Sequence, residues 1–77
     1  MEETTSKTES IVSTMNAWVS TVAVKVGDSV QSGDEVVVLE SMKMEMPVES
    51  PHAGEVKEVF VFESEMINAG DVLMVIR

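Results

Sequence analysis

Sliding the chain along itself by 37 residues lays Ser13 on Ser50, Val19 on Val56, Val22 on Val59 and Val24 on Val61. At the same offset Val30 falls on Ile67, Gly33-Asp34 on Gly70-Asp71, and Leu39 on Ile76. Valine-rich strands can align by chance, but the coincident Gly-Asp pairs weigh against that explanation. A length of 77 residues admits one small domain and no second core. The repeat therefore implies two similar units that pack face to face, each burying what the other cannot cover.

The units read as β. Val19 to Val26 places apolar residues at Val22, Val24 and Val26, a period of two, and stops at Gly27-Asp28, which predicts a half-buried strand. Val36 to Leu39 is a continuous apolar run behind Gly33-Asp34-Glu35. Val56 to Phe62 follows Gly54, and Val72 to Ile76 follows Gly70-Asp71. Glycines, prolines and β-branched valines interrupt every window in which a helical period might be sought. Residues 1–10 (MEETTSKTES) are polar and aperiodic and contain no apolar leader segment, so they read as a disordered tail before a domain at 11–77. No apolar run is long enough for a membrane span, and a cytoplasmic protein without membrane association is expected.

Composition narrows the function. Fourteen acidic against five basic residues give a net charge of −9, which disfavours nucleic acid as a partner. The chain has no cysteine and a single histidine, His52, so disulfides, thiolate metal sites and most nucleophilic triads are excluded, and a non-catalytic role is expected. A hydrophobic fraction of 44% nevertheless excludes a disordered acidic chain.

With the repeats at about 11–39 and 48–76, residues 40–47 form the connection: Glu40-Ser41-Met42-Lys43-Met44-Glu45-Met46-Pro47. Val36 to Val48 is too long for one ordinary strand, so the chain reverses inside it. That stretch lacks the Gly, Asn or Asp that eases a two-residue hairpin, which suggests that its sequence serves something else. Two arrangements compete. In one, Met42, Met44 and Met46 point inward along a strand, with Ser41, Lys43 and Glu45 outward. In the other, the methionines form a flexible exposed contact surface around a presented amine.

Glu40-Ser41-Met42-Lys43-Met44 resembles the attachment motif of biotinyl carrier domains, usually Glu-Ala-Met-Lys-Met, with Ser41 replacing the alanine. The resemblance to the biotin/lipoyl attachment domain family runs from about Ile11 to Arg77. It includes Gly27-Asp28-x-Val30-x-x-Gly33 upstream and Ser50-Pro51-x-x-Gly54-x-Val56 downstream. It implies an all-β flattened barrel of two four-stranded sheets with pseudo-two-fold symmetry and the modified lysine at the tip of a tight hairpin.

The resemblance further implies a biotin carboxyl carrier. Lys43 would attack a biotinyl-adenylate held by biotin protein ligase. The attached biotin would then shuttle as carboxybiotin between biotin carboxylase and carboxyltransferase, while the domain itself, a monomer, catalyses nothing. Glu40, Ser41, Met42, Met44 and Glu45 would be the recognition residues. Lipoylation of Lys43, as in carriers of 2-oxo acid dehydrogenases, is the alternative, because lipoyl domains share the fold; an unmodified interaction module is a third.

Departures from the family pattern fall in turns. The usual Pro-Met-Pro-Gly is replaced by Thr14-Met15-Asn16-Ala17, which predicts a different first turn, and the second-half Gly-Asp by Ser64-Glu65. There is no insertion between Val24 and Val36 for a protruding thumb and no Pro/Ala-rich linker, so the chain looks like the small thumbless kind that can exist alone.

Among the remaining residues, Trp18 reads as a packing or edge-covering aromatic. Phe60 and Phe62 are expected to share a face, with at least one in the core. His52 reads as a solvated turn residue, Asp28, Asp34 and Asp71 as turn formers, and Glu63 and Glu65 as solubility charge.

Overall fold

The computed structural model describes residues 8–77, and among these no helix forms. Eight strands follow one another: β1 (Glu9–Val12), β2 (Ala17–Val22), β3 (Ser29–Val30), β4 (Glu35–Ser41), β5 (Met44–Glu49), β6 (Gly54–Val59), β7 (Met66–Ile67) and β8 (Val72–Ile76). They make two antiparallel four-stranded sheets, in the orders β1-β8-β6-β3 and β5-β4-β2-β7. The first strand begins at Glu9, inside the stretch read as a tail; residues 1–7 of that stretch lie outside the described residues.

The offset of 37 maps one sheet onto the other strand by strand, and the hydrogen bonds between the halves come in matched pairs. Ser13 N–H donates to the Asp71 carbonyl (2.9 Å), and Ser50 N–H to that of Asp34 (2.8 Å). Val19 N–H reaches the Glu65 carbonyl at 2.8 Å, and Val56 N–H the Asp28 carbonyl at 2.9 Å. The buried hydroxyls of Ser13 and Ser50 each donate to a carbonyl two residues on, at 2.6 Å. The Ser13–Asn16 turn thus shares the side-chain bonding of its counterpart at Ser50–Ala53.

The halves interlock more closely than two stacked units. Each sheet takes its two central strands from one half and both edge strands from the other: β1 and β3 flank β8-β6, while β5 and β7 flank β4-β2. Each edge strand finds a central strand of the opposite half to satisfy its backbone, and β3 and β7 are only two residues long. Between the sheets lie Val19, Val36, Val37, Leu39, Val56, Ile67, Leu73, Met74 and Ile76, all essentially inaccessible to solvent.

Two readings of side-chain direction are corrected. In β2 the core residues are Ala17 and Val19. The strand's register with β4 shifts between Val19 and Thr21, which lets Val22 and Val24 pack half-buried against the same core as expected, but the strand ends at Val22 and Val26 is exposed. Phe60 and Phe62 do share an exposed face, but neither is in the core; the intervening Val61 turns inward instead.

Turn chemistry is also more specific than composition suggested. Asp28, Asp34 and Asp71 each accept a backbone N–H three residues earlier, at 2.8–2.9 Å. Glu65 does the same for Phe62 N–H at 3.1 Å, so it is a turn residue rather than free charge. His52 is not simply solvated: its Nδ1 donates to the Ala53 carbonyl at 2.8 Å, and its Nε2 lies 3.1 Å from Glu9 Oε1.

Candidate functional site

The connection between the halves is the β4–β5 hairpin. Pairing runs from Glu35↔Glu49 to Ser41↔Met44, leaving Met42 and Lys43 as a two-residue turn. Their φ angles are +54° and +66°, the left-handed region at both central positions, which is the signature of a type I′ turn. Asn-Gly usually fills such a turn, because a residue with a Cβ incurs a cost of about 1–2 kcal/mol in that region. This hairpin accepts the cost at two adjacent positions.

The inward arrangement of the methionines fails for Met42 and Met44 and holds in part for Met46. Met42 is 92% exposed and Met44 65% exposed, while Met46 is half-buried beside Leu39. The reversal at Met42-Lys43 carries Met42 and Met44 to the end of the sheet, where no opposing strand covers them. Lys43 is exposed on the turn, and among the described residues no carboxylate pairs with its amine. Ser41 is half-buried as the last residue of β4, and Glu40 and Glu45 face each other across the hairpin in exposed positions.

The register continues that row across the whole sheet. Glu45 opposes Glu40, Glu40 opposes Trp18, and Trp18 opposes Met66, so two carboxylates and two apolar side chains line up behind the turn. Trp18 is 53% exposed, and neither covers an edge nor enters the core, since β2 is a central strand. The Ser20 hydroxyl lies 3.4 Å from Glu45 Oε2. Ser64, with φ +74°, occupies the turn position that Gly27 (φ +96°) fills in the other half. Trp18, Ser20, Glu40, Met42, Lys43 and Ser64 together line an open depression of about 620 Å³ at this end of the barrel.

Sequence reasoning found the hairpin residues and missed Trp18, Ser20 and Ser64 as their neighbours. The signal for Ser64 was present, because the offset that places it on Gly27 marks it as a turn residue near the start of β2. Trp18 becomes a neighbour only once β2 is paired with β4. Chemically, the site offers one primary amine on a tight two-residue turn, ringed by apolar, polarizable side chains and acidic groups. It suits covalent attachment and partner contact.

Comparison with known proteins agrees with this geometry. The family model described as "Biotin-requiring enzyme", the biotin/lipoyl model, matches residues 7–76. A biotin/lipoyl attachment protein of Bacillus subtilis is 48% identical over 67 residues, covering 87% of this chain and 89% of that protein. A biotinylated protein TB7.3 homolog of Mycobacterium leprae is 48% identical, with 78% and 84% covered. Among solved structures, the urea carboxylase of Kluyveromyces lactis superposes with a TM-score of 0.86 at 33% identity, over 99% of this chain but 7% of that much larger one. With a family model spanning nearly all of it and such relatives beside it, the chain belongs to the biotin/lipoyl attachment domain family.

Proposed function

We propose that Lys43 carries covalently attached biotin and that the domain acts as the carboxyl carrier of a biotin-dependent carboxylase system. The observation that carries this reading is the Met42-Lys43 turn itself: an exposed amine held at the tip by two left-handed residues and flanked by exposed methionines. Likeness to carboxylase domains supports the choice of biotin. Bacillus subtilis pyruvate carboxylase matches at 38% identity over 87% of this chain, which spans 6% of that enzyme. The M. leprae relative is itself described as biotinylated.

The residues fit an acyl group added from outside. The Lys43 amine is the nucleophile toward the acyl-adenylate in a biotin protein ligase; an amide bond forms as the bond to AMP breaks, and the ligase takes the amine proton. Glu40, Ser41, Met42, Met44 and Glu45 form the surface that ligase, biotin carboxylase and carboxyltransferase contact. When bound, biotin accepts a carboxyl group at one enzyme and yields it at another. The protein presents and delivers it, and the hairpin holds the attachment point at an exposed turn.

Intact-mass measurement on protein from its native cell, followed by peptide mapping, tests the reading. A biotin increment on Lys43, lost in Lys43→Arg with unchanged thermal stability, is the expected result. A biotin signal that persists in the arginine variant refutes the site. A lipoyl increment at Lys43 keeps the site and replaces the cofactor.

A further inference from the structure

The two ends of the barrel obey the same offset in backbone but not in side chains. At the Lys43 end the paired positions are Trp18 and Ser64; their counterparts at the other end are Glu55 and Gly27. An indole and a hydroxyl therefore replace a carboxylate and a hydrogen beside the hairpin, and both line the depression that Lys43 also lines. The depression is open to solvent, with the indole as its largest apolar side chain.

Resting on the reading of Lys43 as the biotin carrier, we propose that this depression is a docking site for the bicyclic ring of the biotin tethered to that lysine. The ring system has an apolar sulfur-containing face and a urea edge with two N–H donors and one carbonyl acceptor. The lining matches both. Trp18, half-exposed on a central strand between Glu40 and Met66, supplies a flat apolar floor. The Glu40 carboxylate accepts from urea N–H groups, and the Ser20 and Ser64 hydroxyls donate to the urea carbonyl. Among the described residues the Ser20 hydroxyl has one hydrogen-bond contact, to Glu45 at a long 3.4 Å.

The occupant is fixed by the tether. Because Lys43 lines the same depression, the attached ring samples it at an effective concentration in the millimolar range. Even a millimolar affinity then gives roughly half occupancy, which shields the ring part of the time and still releases it to a partner. Exposed Met42 stands at the rim as an adaptable cover.

Trp18 is the only tryptophan, so its fluorescence reports on the depression directly. Unmodified and biotinylated protein, with loading verified by intact mass, are compared for emission maximum and acrylamide quenching. Loading is expected to shift emission to the blue and to lower the quenching constant by roughly half, in line with the occupancy above. In a second measurement on fully loaded protein, Trp18→Ala and Ser64→Gly should be captured by streptavidin about twice as fast as the parent. Identical emission, quenching and capture rates at complete loading overturn the docking site and leave the carrier reading intact. Failure of Lys43 to carry biotin in the native cell overturns the carrier reading, and the docking site with it.

Discussion

The interior of the barrel and the hairpin that joins its halves were built under opposite demands. In the interior, Leu39 and Ile76, or Val19 and Val56, occupy matched places 37 residues apart, all buried, with backbone groups bonded in symmetric pairs. Among the described residues the Met42-Lys43 turn has no such mate. It carries exposed apolar side chains and two left-handed residues with Cβ atoms where a turn-former would be more stable. What is repeated holds the fold; what occurs once departs from the best local choice, and that departure marks where selection acted on something other than stability.

The contrast can be broken most forcefully from the inside. Leu73→Ala removes a fully buried side chain from a packed centre and should lower stability by about 2–5 kcal/mol in thermal or urea unfolding. A cost below roughly 1 kcal/mol would mean that the interior is as tolerant as the tip. Met42→Asn works in the other direction. Asparagine tolerates the left-handed region, so the variant should gain about 1 kcal/mol in the same unfolding assay while ligase-dependent modification of Lys43 slows. Loss of stability on this change would show that Met42 has a packing role its exposure conceals. Smallest in energy are Met42→Ala and Met44→Ala, each expected within about 0.5 kcal/mol of the parent, as befits exposed positions. Their effect should appear in the rate of modification or of carboxyl transfer.

Much of this was legible in the chain because the constraints recur. Gly33-Asp34 and Gly70-Asp71 show themselves as one turn used twice, since each Asp carboxylate must accept the same N–H three residues back. Lys43 stood out because a reversal without Gly, Asn or Asp is unusual, and its exposure follows from that reversal. The facing of Phe60 and Phe62 was not legible. A register shift between Val56 and Glu58 changes which residues near the end of β6 face inward, and alternation counted along the sequence cannot see a bulge. In the same way the shift in β2 lets Val19 and Val22 both face the core, which strict alternation forbids. Trp18 escaped for a different reason: its place beside the hairpin depends on the β2–β4 pairing, which no local pattern encodes. The exchange of edge strands is a topological choice, and the repeat alone is compatible with self-contained halves.

That exchange gives the Met42-Lys43 turn a second duty. Severed from each other, β1–β4 and β5–β8 would each be a pair of long strands with both flanks bare, and each would need the other to complete its sheet. The domain is in effect an intertwined dimer of two pieces alike in backbone, fastened by one short clasp. The clasp converts their association into an intramolecular event at high effective concentration. Cutting the chain between Met42 and Lys43 would make folding bimolecular and its midpoint dependent on protein concentration. The residues that present the amine to the outside are also the stitch that makes the fold unimolecular.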